Sequence, residues 1–576
     1  MKTIKLLFCL SLFFFRFSFT YGQTWLWAKD GSGTGNGEGF SVAIDREDNA
    51  FLTGYILGSQ KFGSDSVNCN PYPGNAFLVK YDKNGNALWA KAPTSSLHSN
   101  SKADVVATDS KGNSFISGFF TDTVNFGGYP LFTKNYVVGN VGDIFLAKYD
   151  PNGNVLWAKA GITPSITSYG ELNENSIATD TAGNVYIAGE FVDSITFGTT
   201  TLSGRGCFVF LVKYDPNGNV VWAKQSTSSQ YGNNGAGVAT DKAGNIYVTG
   251  FFYSAITFGS HALNTFYQAT FLVKYSSAGN VIWAKQSNIP WVTCYGYSLS
   301  VATDKAGYEY ITGAFGDTLI FGIDTLKNSA PESSIFFVKY DSLGNVIWAK
   351  QFENIDSNHW LGYSVATDTL EHLYIYGGGG YRTCKLKYGN DTLSTFVPGN
   401  GSKDAASFIA QFDSSGKMLC SSMIACGGDD PAISGGSIAT NPSGNCIYIG
   451  DDILYYPAVF GNDTLVPYGT EDPFVARWAP CYLETGVEKT TSQKAILSLF
   501  PNPNNGKFTI KSTVQNNKLI VEIYNMLGEI TFTEPLRSIQ GDNTIDLNSQ
   551  PSGVYLYRVI SENGNLIGEG KFVIQK

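Results

Sequence analysis

The segment Asp150-Pro-Asn-Gly-Asn154 returns unchanged at 215–219. Asp-x-Asn-x-Asn offers oxygen ligands at alternate positions, as the start of a calcium loop does. Such a loop also needs Gly at its sixth position and Glu at its twelfth. Counted from Asp150 those places hold Val155 and Gly161, and from Asp215 they hold Val220 and Ser226. The calcium reading fails, and turn chemistry accounts for the residues: Asp first, Pro second and Gly fourth suit a type I turn closing a bulged hairpin. The histidines are His98, His261, His359 and His372, and none sits in an HExxH spacing. No G-x-S-x-G elbow offers a serine nucleophile. Asp122, Asp193 and Asp317 recur in Thr-Asp-Thr, Val-Asp-Ser and Gly-Asp-Thr. A carboxylate pair among them would suit glycoside hydrolysis, whereas recurrence at equivalent places suits turn and strand-end hydrogen bonding. No catalytic residue, metal ligand or cofactor is assigned.

Binding chemistry has more to stand on. Trp291, Tyr295 and Tyr297 share one irregular segment, and His359, Trp360 and Tyr363 share the corresponding next one. Planar rings of this kind stack on sugar faces when exposed and pack onto the scaffold when they are not. These six are the candidate ligand-binding residues, for a glycan or a protein.

The elements that would position them repeat. VATD or a close variant begins at Val42, Val106, Ile177, Val238, Val301, Val365 and Ile438. FLVKYD or a variant begins at Phe77, Phe145, Phe210, Phe271, Phe336, Phe408 and Phe474. Between them lies a strand-like run, and after the second comes NVLWAK or its equivalent, so each unit predicts four short strands. The fourth-strand tryptophan appears at Trp89, Trp157, Trp222, Trp283 and Trp348, with Cys420 in the sixth unit. It reads as a packing wedge between neighbouring sheets. The seventh unit stops at FVARWAP, and one orphan copy, WLWAK, stands at 25–29. An N-terminal strand that completes the last sheet would remove the exposed edges of an open array. The expectation for 23–483 is therefore a seven-bladed β-propeller closed by its N-terminal strand. Both Asp-x-x-Gly-Asn turns of each unit fall on one uniform face. The loops of the opposite face differ in length and chemistry, which is where recognition is expected.

Composition agrees with an all-β chain: 64 Gly, 33 Tyr and 39 Phe among 576 residues. Lys2 and Lys5 precede an apolar run, Leu6–Phe15, which reads as a secretory signal peptide over 1–22. Its removal takes three basic residues from a chain of net charge −9, leaving about −12. That balance offers no footprint for nucleic acid. Eight cysteines remain, five of them (Cys384, Cys420, Cys426, Cys446 and Cys481) in the last two units. Disulfides are expected there, with no pairing assigned.

Polar residues 484–496 read as a linker, and alternating strands over 497–576 read as a small immunoglobulin-like β-sandwich. The repeats, through VATDxxGNxYxTGxF and FLVKYDxxGNVxWAK, resemble the bacterial SBBP β-propeller family. The tail resembles the type A C-terminal sorting domain of the type IX secretion system. Pro501, Asn502, Pro503 and Gly506 match its first box, Tyr524, Asn525 and Gly528 its second, Pro551, Gly553 and Tyr555 its third, and Lys571 to Lys576 its end. This resemblance implies export across both membranes by that machinery and removal of the domain by its C-terminal signal peptidase. Release or attachment to surface lipopolysaccharide would follow. The reading is an exported surface or secreted binding and adhesion protein, with a secreted carbohydrate-active or other hydrolytic enzyme and a structural surface component as alternatives.

Overall fold

The computed structural model describes residues 24–33, 35–69, 74–96, 98–133, 142–163, 170–172, 176–228, 232–290, 294–355, 358–379, 383–396, 404–427, 436–454, 457–461, 463–468, 470–480, 498–512, 519–525, 529–536, 541–561 and 566–576. The signal peptide, its cleavage point and the linker 484–496 lie outside them. The regular structure among the described residues is all β. By contact the chain divides into two units, Met1–Leu483 and Glu484–Lys576.

In the first unit the described strands form seven antiparallel sets of four. The second set is typical: Ser101–Thr108, Ser114–Phe120, Asp143–Tyr149 and Val155–Ile162 pair in that order. In the seventh set Ser437–Thr440, Ile447–Leu454 and Glu471–Ala479 are followed not by their own successor but by Thr24–Asp30. That N-terminal strand runs antiparallel to the third strand, from Thr24↔Ala479 to Asp30↔Phe474.

The tight turns follow the residues. Asp150 Oδ1 accepts the Asn152 and Asn154 N–H groups at 2.9 and 2.8 Å, and Oδ2 accepts the Asn154 amide at 2.8 Å. Gly153 takes φ 81°, which only glycine enters without strain. These carboxylates cap their own turns, as the turn reading expects.

Each turn also carries the neighbouring sheet. The Trp157 indole donates to the Pro216 carbonyl at 3.1 Å, one set further along. The same bond joins Trp89 to Pro151, Trp222 to Ser277, Trp283 to Ser342 and Trp348 to Ser414. Trp27, on the N-terminal strand, makes it to Lys83 of the first set at 3.0 Å. The turn glycine lies on the indole itself: a β-carbon at Gly218 would come within 2.8 Å of the Trp157 ring. The seventh set has no turn between its third and fourth strands, because the fourth comes from the other end of the chain. An indole at position 420 would have no turn carbonyl to meet, and that position is Cys420, which is engaged in a disulfide.

First strands are linked in succession by the VATD threonines. Thr108 donates to Ile44 O, Thr179 to Thr108 O, Thr240 to Thr179 O, Thr303 to Thr240 O and Thr367 to Thr303 O, at 2.6–2.9 Å. The Val42 N–H donates to Ser437 Oγ at 2.7 Å, linking the first set to the seventh. Apolar cores span neighbouring sets, as where Phe115, Leu146 and Trp157 pack with Val185, Phe191 and Phe210.

The second unit has a three-stranded sheet (Ser498–Phe500, Lys507–Ser512, Gly541–Asp546) and a four-stranded one (Ile530–Pro535, Leu519–Tyr524, Gly553–Ser561, Leu566–Ile574). Phe508, Ile510 and Ile545 of the first share a core with Val521, Tyr557 and Phe572 of the second.

Trp27→Ala should cost about 3–5 kcal/mol, the range for truncating a large buried aromatic, and should loosen the seventh set and the first together. Denaturant unfolding with hydrogen exchange checks this. Loss of protection confined to the N-terminal strand would contradict it.

Candidate functional site

The irregular segments deliver aromatic side chains to the start of first strands and the end of second strands. In Tyr295–Thr303, alternation puts Tyr295 and Tyr297 on one side, ring centroids 6.3 Å apart and 10° from parallel. Tyr297 meets Phe251 of the preceding set edge-on at 6.1 Å. Phe251 meets Tyr253 at 6.1 Å, and Tyr253 meets Tyr267 at 5.5 Å. Five rings thus run continuously across two sets. Tyr267 is 47% exposed, and its neighbour Phe266 is 80% exposed.

One end of the strip is charged. His359 Nε2 lies 2.6 Å from Glu332 Oε2, and its Nδ1 lies 3.3 Å from Ser333 Oγ. Burial raises the Tyr295 hydroxyl above its ordinary value, and the Glu332 charge adds to the effect. Partly buried rings beside an exposed carboxylate–imidazole pair can stack on a sugar face and hydrogen-bond its hydroxyls.

Of the six sequence candidates, the structure brings Tyr295, Tyr297 and His359 together. Trp291 lies outside the described residues. Trp360 and Tyr363 are corrections: Trp360 is 0% exposed and packs edge-on against Phe408, and Tyr363 packs on Tyr376. They sit inside the strand Trp360–Thr367, whose register shifts at Tyr363 between Gly362 and Ser364, and the two rings enter different apolar cores, Trp360 with Phe408 and Tyr363 with Tyr376. Phe251, Tyr253, Tyr267 and Glu332 were not singled out from sequence. Tyr253 and Tyr267 occupy the long strands Ile246–Phe258 and His261–Tyr275, whose extension past the repeat pattern was the available signal.

Asp122, Asp193 and Asp317 are spread over three sets at φ of 56°, 62° and 58°. Their backbone carbonyls close loops, Thr133 N–H donating to Asp122 O and Asn328 N–H to Asp317 O. They stand in three different sets, and their positive φ suits turn positions. Among the described residues no group of three or more His, Cys, Asp or Glu is arranged to hold a metal ion.

A different carboxylate pair appears where the seventh set meets the first. Asp452 and Glu471 occupy neighbouring antiparallel strands, two residues apart in register. Burial pushes the Glu471 carboxyl up to about 9, helped by the Asp452 and Glu38 charges and by a hydrogen bond with Asp452, and opposed by Lys102. Lys102 is also held by Asp104 at 3.5 Å and over the Phe40 ring at 3.9 Å. Asp451 and Asp472 beside them are tied down, Asp451 by Tyr376 Oη at 2.5 Å and Asp472 by Gln60 Nε2 at 3.0 Å. Glu309 is a lone departure inside the fifth set, placed where Val185 and Ile246 stand in earlier sets. It lies 3.9 Å from Lys274 Nζ, and burial raises its carboxyl to about 7.

The sorting-domain residues converge on the terminal strand. Asn502 Nδ2 donates to Lys571 O at 3.3 Å, and Asn502 Oδ1 accepts the Val573 N–H at 2.9 Å. Asn504, between Pro503 and Gly506, takes the Gly506 N–H on Oδ1 at 2.8 Å and bonds Val573 and Gln575 through its backbone. Gly506 has φ 107° against Asn548. Asn525 closes its hairpin on Glu529, Tyr524 Oη donates to Glu522, and Tyr555 Oη donates to Pro551 O at 2.9 Å. A β-carbon at Gly553 would only touch the Tyr555 ring at 3.8 Å, the Lys576 N–H donates to Ser552 Oγ at 3.0 Å, and Gly528 lies outside the described residues.

Residues 498–575 match the secretion system C-terminal sorting domain. The type IX sorting domain is present, and it marks proteins exported by that system to the cell surface or extracellular space. It implies interaction with the type IX machinery. The chain is 25% identical over 455 residues to an uncharacterised WD repeat-containing protein of Acanthamoeba polyphaga mimivirus, covering 65% of this chain and 31% of that relative's length. Among solved structures, a protein of unknown function from Bacteroides caccae is 12% identical, with 64% of this chain and 93% of that one covered, at a TM-score of 0.30. PorZ, an essential surface component of the type IX secretion system of Porphyromonas gingivalis, is 11% identical over 93% of this chain and 81% of its own, at a TM-score of 0.19. Scores this low do not define a shared fold.

A carboxyl raised from 4.5 to about 9 binds more protons folded than unfolded across that window. Stability should therefore fall as pH rises through it, and Glu471→Gln should flatten the fall. Thermal melts of both chains from pH 5 to 9 check this, and an unchanged slope in the variant would contradict it.

Proposed function

We propose that the chain is a non-catalytic binding and adhesion protein, exported by type IX secretion, that takes a glycan on its irregular-loop face. Residues 23–483 would form a seven-bladed β-propeller of the SBBP repeat type. Seven four-stranded sets, the threonine links and the shared N-terminal strand support this, since a closed ring leaves the sets no free ends. The observation that carries the functional reading is the five-ring strip from Tyr267 to Tyr295, ending at the Glu332–His359 pair. Rigid sheets hold the rings while loops vary around them, an arrangement suited to recognition. The sorting domain is removed near 484–496, and the remaining chain is released or attached to surface lipopolysaccharide.

A second reading rests on one observation, the Asp452–Glu471 pair with Glu38 nearby. Two carboxyls whose environments hold one protonated are the equipment of a hydrolase.

Glycan and matrix-protein arrays probed with the full chain separate the two. Glycan binding that weakens about tenfold or more in Tyr253→Ala and Tyr297→Ala, the loss of about 1.4 kcal/mol of stacking, is expected. Binding to neither array, with glycoside turnover that disappears in Glu471→Gln, would replace the first reading by the second.

A further inference from the structure

The joint between the sixth and seventh sets departs from the repeat twice. Cys420 stands at the place of the wedge tryptophan, so the indole bond is not made. Thr440, the VATD threonine of the seventh set, gives its hydroxyl to the adjacent Asn441 O at 3.1 Å, where its counterparts reach back to the preceding set.

What the joint has instead is a covalent bond. Cys420 faces Gln411 in the register in which Trp222 faces Lys213, so it enters the interface as the indoles do. It is buried in one apolar core with Ile447, Ala476 and Trp478 of the seventh set. Cys69, Cys207, Cys294 and Cys446 are free, whereas Cys420 is engaged in a disulfide. Outside the signal peptide, Cys384, Cys426 and Cys481 are left to partner it.

Backbone positions separate the three, because bridged cysteines keep their Cα atoms about 4.4–6.8 Å apart. Cys426 follows Cys420 on the same strand, Met418–Gly427, and six residues at about 3.3 Å each put it about 20 Å away. Cys384 belongs to the hairpin strand Thr383–Tyr388, whose far end reaches the start of the fourth strand, Tyr388 Oη donating to Gly416 O. Four residues back along that strand, Cys384 is roughly 13 Å from this contact. It also follows Gly379, which stands level with Ala425 across Ala406, at the opposite end of the sheet from Cys420.

Cys481 has the place a partner needs. Trp478 faces Ile447 as Tyr214 faces Val185, so the third strands of the seventh and third sets are in step. Counted on from there, Pro480 takes the place of Pro216 and Cys481 that of Asn217. Pro216 O receives the Trp157 indole, and Gly218 is the residue whose β-carbon would meet its ring. Asn217 thus lies between the two residues that touch the wedge. Pro480 is buried beyond the strand Glu471–Ala479, and Cys481, outside the described residues, is next in the chain.

We propose that Cys420 is bonded to Cys481, so that a disulfide joins the sixth and seventh sets where an indole joins the others. It forms by exchange with the disulfide of an oxidoreductase in the oxidising compartment that an exported chain crosses. The two thiols give up two protons and two electrons, which convert the oxidoreductase disulfide to a dithiol. Cys481 ends the repeat unit just before the linker 484–496, and the strand preceding it carries Thr24–Asp30. The cross-link therefore keeps the closing strand pair in place when the sorting domain is removed. It depends on neither the glycan nor the hydrolase reading.

The test uses the full chain, purified without reductant, its free thiols alkylated before digestion. Mass spectrometry should recover the Cys420 peptide joined to the Cys481 peptide, and reduction should release both. Cys420 joined to Cys384 or Cys426, or Cys481 recovered alkylated, overturns the proposal. Cys420→Ser and Cys481→Ser should each speed limited proteolysis within 437–479 by at least about tenfold. The double variant should be no more sensitive than either single one, since both remove the same bond. Additive effects, or rates equal to wild type in both variants, would also overturn it. Where a variant fails to fold, the peptide map of the wild type decides alone.

Discussion

An indole N–H given to a carbonyl in the next sheet, with a glycine lying on the ring, is the contact on which the repeat unit depends. Neither half works alone. The carbonyl is in place because an aspartate has folded its turn, and the ring can approach because the turn residue at left-handed φ has no side chain. A repeat whose own sheet is complete therefore still lacks a partner for its tryptophan until its successor has formed its turn. Stability is shared between neighbours, as in other repeat architectures. The Lys that precedes the tyrosine in the third strand reinforces the same joint, as Lys148 Nζ donates to Pro216 O at 3.1 Å.

Much of this was legible in the residues. The four-strand unit, the two turns, the wedge role of the tryptophans and the orphan strand at the N-terminus could be counted from recurring phrases. Cys420 could be seen as an exception, but its reason needed the topology: the turn an indole would bond is missing from the seventh set.

The candidate site was half legible. Tyr295, Tyr297 and His359 stood out because they interrupt the repeat, and the structure brings them together. Trp360 and Tyr363 stood out for the same reason but begin a strand, and a register shift at Tyr363 lets the two rings bury in different cores. Glu332 belongs to a different loop from His359, and the Asp452–Glu471 pair draws in Glu38 from the far end of the chain. Contacts of that sequence separation arise from closure of the whole unit, so a local reading passes them by.

The strand Thr24–Asp30 is the first part of the folded unit to be synthesised and the last to find its place, since its partner strand ends at Ala479. Bringing ends so far apart together adds little free energy beyond a shorter loop, because the entropy of closure grows only logarithmically. Its consequence is one of timing. A chain interrupted before Glu471 keeps an unsatisfied edge at its beginning and lacks the export domain that starts shortly afterwards. Completeness of folding and eligibility for export are thus decided within the same short span of sequence, and an unfinished product fails both together.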